Sequence, residues 1–189
     1  CEPPTDWLRR LAPAFRQDAR LGAIGGALVP GEVRTLAERH VVDAQILDTE
    51  RTWSRNALQW PFLPTAALLI RRRALQHAGG FDTSLNRAGG EDADLCWRLR
   101  AVGWAVRYER EVRVRHHHRA SLRAMLRQVY WYGQSSACLF ARWRHELGWW
   151  RFTDWAPYRR VAGGLVRTPG AFLASAGYGR WRPLLQAAD

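Results

Sequence analysis

A segment of helical period, 91–102, stops at Gly103 and gives way within three residues to a strand pattern, 106–116. Few folds are compatible with that succession. Strand patterns alternate with helical ones along the chain, so it is expected to be a layered α/β fold. The rest of the pattern agrees. Thr5 starts a helix whose apolar positions Trp7, Leu8, Leu11 and Phe15 recur at helical spacing, with Asp6 favouring its positive end. Leu21 to Val29 reads as a strand broken at Gly25-Gly26, where backbone or ligand approaches closely, and Pro30-Gly31 ends it. A second helix is predicted from Glu32 to about Leu47, then a loop from Arg51 to Pro64 carrying Trp53, Trp60 and Phe62. Thr65 to Ile70 is a continuous apolar run of the kind a centrally buried strand shows. A short helix from Arg73 to Ala78 stops at Gly79-Gly80, and a loop follows that ends at Gly89-Gly90. A long helical pattern runs from Ser121 to Leu147, with a possible interruption at Gly133.

Composition sets outer limits. With 189 residues, 47% hydrophobic and 24% charged, the chain can bury a core and is not a disordered polymer. The net charge is +12, carried by 29 basic residues that are all arginine. A GC-rich genome produces the same bias, yet the charge is real and favours phosphates, nucleotides, anionic headgroups or nucleic acid. The three cysteines, Cys1, Cys96 and Cys138, have neither metal-type spacing nor an even count, so a reducing compartment is the default. No run of about 18 apolar residues exists to span a bilayer. The chain starts at Cys1 and its only methionine is Met125, so it reads as a domain fragment, with an acylated lipoprotein terminus as the less favoured alternative.

Two elements bring chemistry-bearing groups to one place. In the helix, Leu95, Leu99 and Val102 share a face, and Asp92, three residues before Leu95, heads it. An inward carboxylate needs compensation, part of which free amides and the dipole at a helix start supply. Glu91 and Asp94 fall on other faces; Asp94 and Arg98 stand at i and i+4 and make an ordinary helical ion pair. In the strand, Val112, Val114 and His116 share the buried face, while Arg113, Arg115 and His117 take the other. Neighbours on a strand diverge, so His116-His117-His118 cannot chelate one ion together. A carboxylate and an imidazole at one end of a buried layer suit proton acceptance by Asp92 and cation holding by His116.

The residues that carry this geometry also carry a resemblance. Gly79-Gly80-Phe81-Asp82, then Gly90-Glu91-Asp92-Ala93-Asp94-Leu95-Cys96-Trp97-Arg98-Leu99, then Gly103-Trp104, Tyr108 and His116 resemble the family 2 glycosyltransferases of the GT-A fold. Pro64 to Arg72 fits the strand before the family's GGFD turn, and the segment from Cys1 is similar to the stretch that follows its Asp-x-Asp motif. Tyr132 to Ala137 is similar to the C-terminal helix of these bacterial enzymes, with a fainter likeness to the mycofactocin glycosyltransferases. The resemblance implies the C-terminal half of a Rossmann-like GT-A domain over residues 1–118, then an amphipathic, Arg- and Trp-rich helical extension over 119–189. It implies an inverting transfer of sugar from a nucleotide-diphosphate donor, such as a UDP-sugar, to an acceptor hydroxyl. Asp92 would be the base and Glu91 its partner acid. Asp94, Arg98, Trp60 and Trp104 would contact acceptor or donor. His116 would be a ligand of Mn²⁺ or Mg²⁺ on the leaving diphosphate. By the resemblance, the family's separate metal- and ribose-holding Asp-x-Asp would lie just before Cys1, and the nucleotide-binding strands have no counterpart in residues 1–189, so these residues alone are expected to bind donor poorly. The acceptor would be a carbohydrate or a lipid- or peptide-linked hydroxyl.

Two other classes stand beside this one. Met125, Leu126, Val129, Leu139, Phe140 and Trp143 at helical spacing, flanked by arginines, suit a peripheral contact at the cytoplasmic face of the cell membrane. They equally suit packing on a core. An Arg-rich nucleic-acid-binding module without catalysis is the other; the basic residues are spread along the chain and match no reader motif, so no nucleic-acid partner is expected.

Overall fold

A computed structural model describes residues 1–46, 48–54, 61–85 and 89–147. The sequence places Trp60 and the tryptophans after 147 outside them.

Among the described residues the sheet has three strands in the order β2-β1-β3. The central strand is β1, Leu21–Pro30, and it is continuous. The long strand β3, Ala105–His116, runs parallel to it, and the short strand β2, Leu68–Ile70, runs antiparallel on its other side. The glycines of β1 do not break it. They mark an irregularity in register, where Gly26 pairs with Glu109 and the next residue, Ala27, with Arg113. A Cβ on Gly26 would come within 2.2 Å of the Val112 carbonyl oxygen, so the close approach expected there is by backbone.

The apolar run expected to be the central strand behaves differently. Thr65–Ala67 forms a 3₁₀ turn, and only Leu68–Ile70 joins the sheet, at its edge and half-buried. The glycine-rich β1, less apolar by eye, takes the centre because helices cover it on both sides. Adjacent residues Ala23 and Ile24 feed different clusters, as strand alternation requires. Ile24 packs with Leu11, Ala14 and Val112 beneath α1, Trp7–Leu11, and α2, Ala14–Gln17. Ala23 packs with Ala74, Leu95 and Leu99 beneath α5, Arg72–His77, and α6, Glu91–Ala101.

The helix expected from Glu32 to Leu47 is shorter. As α3 it covers Leu36–Asp43, because a capping box starts it: Thr35 Oγ1 accepts from the Glu38 amide at 3.2 Å, and the Glu38 carboxylate accepts from the Thr35 amide at 2.8 Å. The expected loop after Arg51 is entered by a helix, α4, Thr49–Ser54. Buried Thr49 holds it to β1, its Oγ1 accepting from the Leu28 amide at 3.0 Å. The last described element, α7, Leu122–Leu147, passes through Gly133 without interruption. A Cβ at Gly133 would meet nothing, so its cost is that of a glycine in an exposed helix, about 1 kcal/mol, against the packing of a 26-residue element.

Candidate active site

The chain turns into α6 through Gly89 and Gly90, both at positive φ, 103° and 94°. L side chains avoid that region, and space forbids them here as well. A Cβ on Gly89 would lie 2.4 Å from the Tyr132 ring, and one on Gly90 3.0 Å from Leu139. The start of α6 is therefore pressed against α7. Between them and the end of β3 lies a cleft of about 470 Å³.

Its walls bring the central residues together. Glu91 and Asp92 border it from α6, His116 from the end of β3, and Gln128, Tyr132 and Ser136 from α7. Asp92 Oδ1 accepts from the Ala93 amide at 2.9 Å. Burial, and then the charge of Glu91 beside it, push the Asp92 carboxyl up from 3.8 to about 6; the amides of Ala93 and Thr65 pull the other way. A carboxylate with that affinity is ionised at neutral pH yet holds a proton far better than a surface aspartate. Glu91 is turned back on the loop, where its Oε2 accepts from the Gly89 amide at 2.8 Å.

His116 is half-buried, and burial, then His118, hold its imidazole down to about 4, neutral at physiological pH. Its Nδ1 lies 2.9 Å from Cys1 Sγ. The expected divergence of the three histidines fails for a simple reason: β3 ends at His116, so the alternation that would separate its successors ends there too. All three border the cleft, with His117 Nε2 2.8 Å from Glu2 and the His118 ring 5.4 Å from that of His116.

A seat for Mn²⁺ or Mg²⁺ needs a different donor set from this one. Both ions favour oxygen donors, whereas the donors at His116 are an imidazole and a thiol. Among the described residues no three of the side chains His, Cys, Asp and Glu converge to hold a metal. The residues present do not by themselves fit such an ion, and no step below runs through one.

Asp94, Arg98 and Trp104 do not border the cleft. Asp94 is fully buried, and its surroundings go well beyond a helical ion pair. Its Oδ2 accepts from Arg98 Nε at 2.7 Å, and its Oδ1 from Arg142 Nη1 at 3.1 Å and Trp143 Nε1 at 3.0 Å. Arg98 also donates to the carbonyls of Ala78 and Gly80, closing the Gly79-Gly80 turn onto α6. Trp104 packs under the Arg73 guanidinium, and its Nε1 donates to His77 Nδ1 at 3.2 Å. Val102, expected inward, caps α6 and is exposed. The helix is buried on several sides at once, which is why a single apolar stripe describes it poorly.

Of the α7 residues of the cleft, spacing marks Leu139 alone. Tyr132 and Ser136 lie in the family-like segment at Tyr132 to Ala137, whereas no signal marks Gln128.

The family model for glycosyl transferase family group 2 matches residues 2–181. The chain belongs to that family. It is 42% identical over 81 residues to the pre-mycofactocin glycosyltransferases of two Mycobacterium tuberculosis strains, CDC 1551 / Oshkosh and H37Rv, a match over 43% of this chain and 17% of those proteins. It is 29% identical over 150 residues to the succinoglycan biosynthesis protein ExoM of Rhizobium meliloti strain 1021, over 75% of this chain and 46% of that protein. The chain thus spans less than half the length of each relative. The sheet flanked by helices, mixed in strand direction, is consistent with part of a family group 2 domain.

Proposed function

We propose that this family group 2 chain supplies the acceptor side of an inverting sugar-transfer site in which Asp92 is the general base. The observation that carries the reading is the Asp92 carboxylate at the head of α6, facing a cleft and raised in proton affinity by burial. In the reaction, the acceptor hydroxyl gives its proton to Asp92. Its oxygen forms a bond to the anomeric carbon of a nucleotide sugar as the bond to the diphosphate oxygen breaks. The electron pair leaves with the nucleoside diphosphate, and attack opposite the leaving group inverts the anomeric centre. Glu91 shapes the Gly89 turn on which Tyr132 rests and adds to the affinity of Asp92 for the proton. His116, neutral at physiological pH, closes the cleft from the end of β3. Asp94, Arg98 and Trp104 support the reading as scaffold for α6 rather than as contacts to sugar.

The printed role of ExoM, succinoglycan biosynthesis, makes a carbohydrate acceptor the first class to test. The test, made on a protein that carries a donor-binding half together with these residues, is acceptor-dependent release of nucleoside diphosphate across a panel of nucleotide sugars, with the product anomer read by NMR. The reading expects release and an inverted anomer. A retained anomer, or no acceptor-dependent release from any donor, overturns it.

A further inference from the structure

Helix α7 has two faces of opposite character. Met125, Ser135, Leu139 and Trp143 are buried toward the body of the protein. On the outward side Leu122, Leu126, Val129 and Tyr130 are 62%, 56%, 44% and 61% exposed. They stand at i, i+4, i+7 and i+8, which gathers them into one stripe. We propose that this stripe docks the protein on an anionic lipid surface.

Charge selects the occupant. Between Glu111 and Glu146 the sequence contains no acidic residue. Arg123 and Arg127 lie along one edge of the stripe, and Arg119 just precedes the helix. None of the three forms an ion pair among the described residues. Arg127 is held over the Trp131 ring at 5.1 Å, a cation and an aromatic side by side. Exposed apolar side chains flanked by unpaired arginines match acyl chains below and phosphates above. A second copy of this chain would set the same arginines against one another across a two-fold axis. A nucleic acid would leave the aliphatic residues unused. No helix of the described residues is long and apolar enough to cross a bilayer, so α7 lies along the surface.

The experiment is flotation of the 189-residue protein with phosphatidylcholine vesicles, with and without phosphatidylglycerol. Binding is expected only where phosphatidylglycerol is present, and it should fall as salt rises. Arg123→Ala and Arg127→Ala should each weaken partitioning by about fivefold, the effect of about 1 kcal/mol per arginine. Leu126→Asp with Val129→Asp should weaken it by roughly tenfold or more. All four positions are exposed, so circular dichroism should show an unchanged fold. Three results overturn the proposal. One is equal binding to both vesicle types or to neither. Another is unaltered partitioning of the variants, which moves the contact elsewhere in the chain. The third is a concentration-dependent dimer that Leu126→Asp abolishes, which makes a second copy the occupant.

Discussion

Arg142 of α7 reaches Asp94 of α6, its Nη1 3.1 Å from an oxygen of a carboxylate that has no solvent exposure. The same nitrogen lies 2.5 Å from Asp82 Oδ2, in the turn after Gly79-Gly80. Hydrogen bonds from Ser84, then Arg142, hold the Asp82 carboxyl down to about 2. One guanidinium thus ties the long helix, the α6 helix and the loop between α5 and α6 into one frame. Removing a charge from a buried pair strands its partner, which costs several kcal/mol. Asp94→Asn is therefore expected to destabilise the protein by about 3 kcal/mol in urea unfolding, well beyond the effect of an exposed carboxylate such as Glu32. A loss below about 1 kcal/mol would show that Asp94 does not hold the frame.

The Gly89 turn is tested by its partner. Gly89→Ala imposes an unfavourable φ and drives a Cβ into Tyr132, so it should cost roughly 1–3 kcal/mol. In Tyr132→Ala the steric part disappears. The double variant should recover part of the loss, measured as a coupling energy in a double-mutant cycle. Strict additivity would contradict the contact.

Proton affinity at Asp92 has consequences of opposite sign for stability and rate. Its folded value, about 6, exceeds the ordinary 3.8, so the folded state binds the proton more tightly than the unfolded chain does. The contribution of this group to stability is greatest below about 4 and is lost as pH rises to about 6. At neutral pH Asp92→Asn should therefore stabilise the fold by about 1–2 kcal/mol, less than the full shift of roughly 3 kcal/mol implies because the cleft admits water. Catalysis runs the other way: the rate needs the carboxylate and should fall as pH drops below about 6, while Asp92→Glu keeps a titrating profile.

Much of this was legible in the sequence, and the parts that were not share a cause. The boundaries of α6 and β3 and the buried face of Val112 and Val114 follow from periodicity within a dozen residues. Asp92 heads its helix beside the cleft because three-residue spacing to Leu95 is local information. The ion pair of Asp94 with Arg98 follows from their spacing, but the burial of Asp94 does not, because the second arginine that compensates it stands 48 positions away. The edge position of Leu68–Ile70 likewise depends on which strand β1 and its covering helices leave outermost, which no window of sequence contains. Tyr132 enters the cleft only because Gly89 lacks a side chain, and neither residue implies that contact alone.

The central claim is that the Asp92 carboxylate takes the acceptor's proton. The direct measurement is the rate of nucleoside diphosphate release at saturating acceptor for Asp92→Asn, alongside its affinity for the nucleotide sugar. The rate is expected to fall by on the order of 10²–10⁴ while donor affinity is kept and the fold is at least as stable as before. Turnover within a fewfold of the unaltered protein would contradict it.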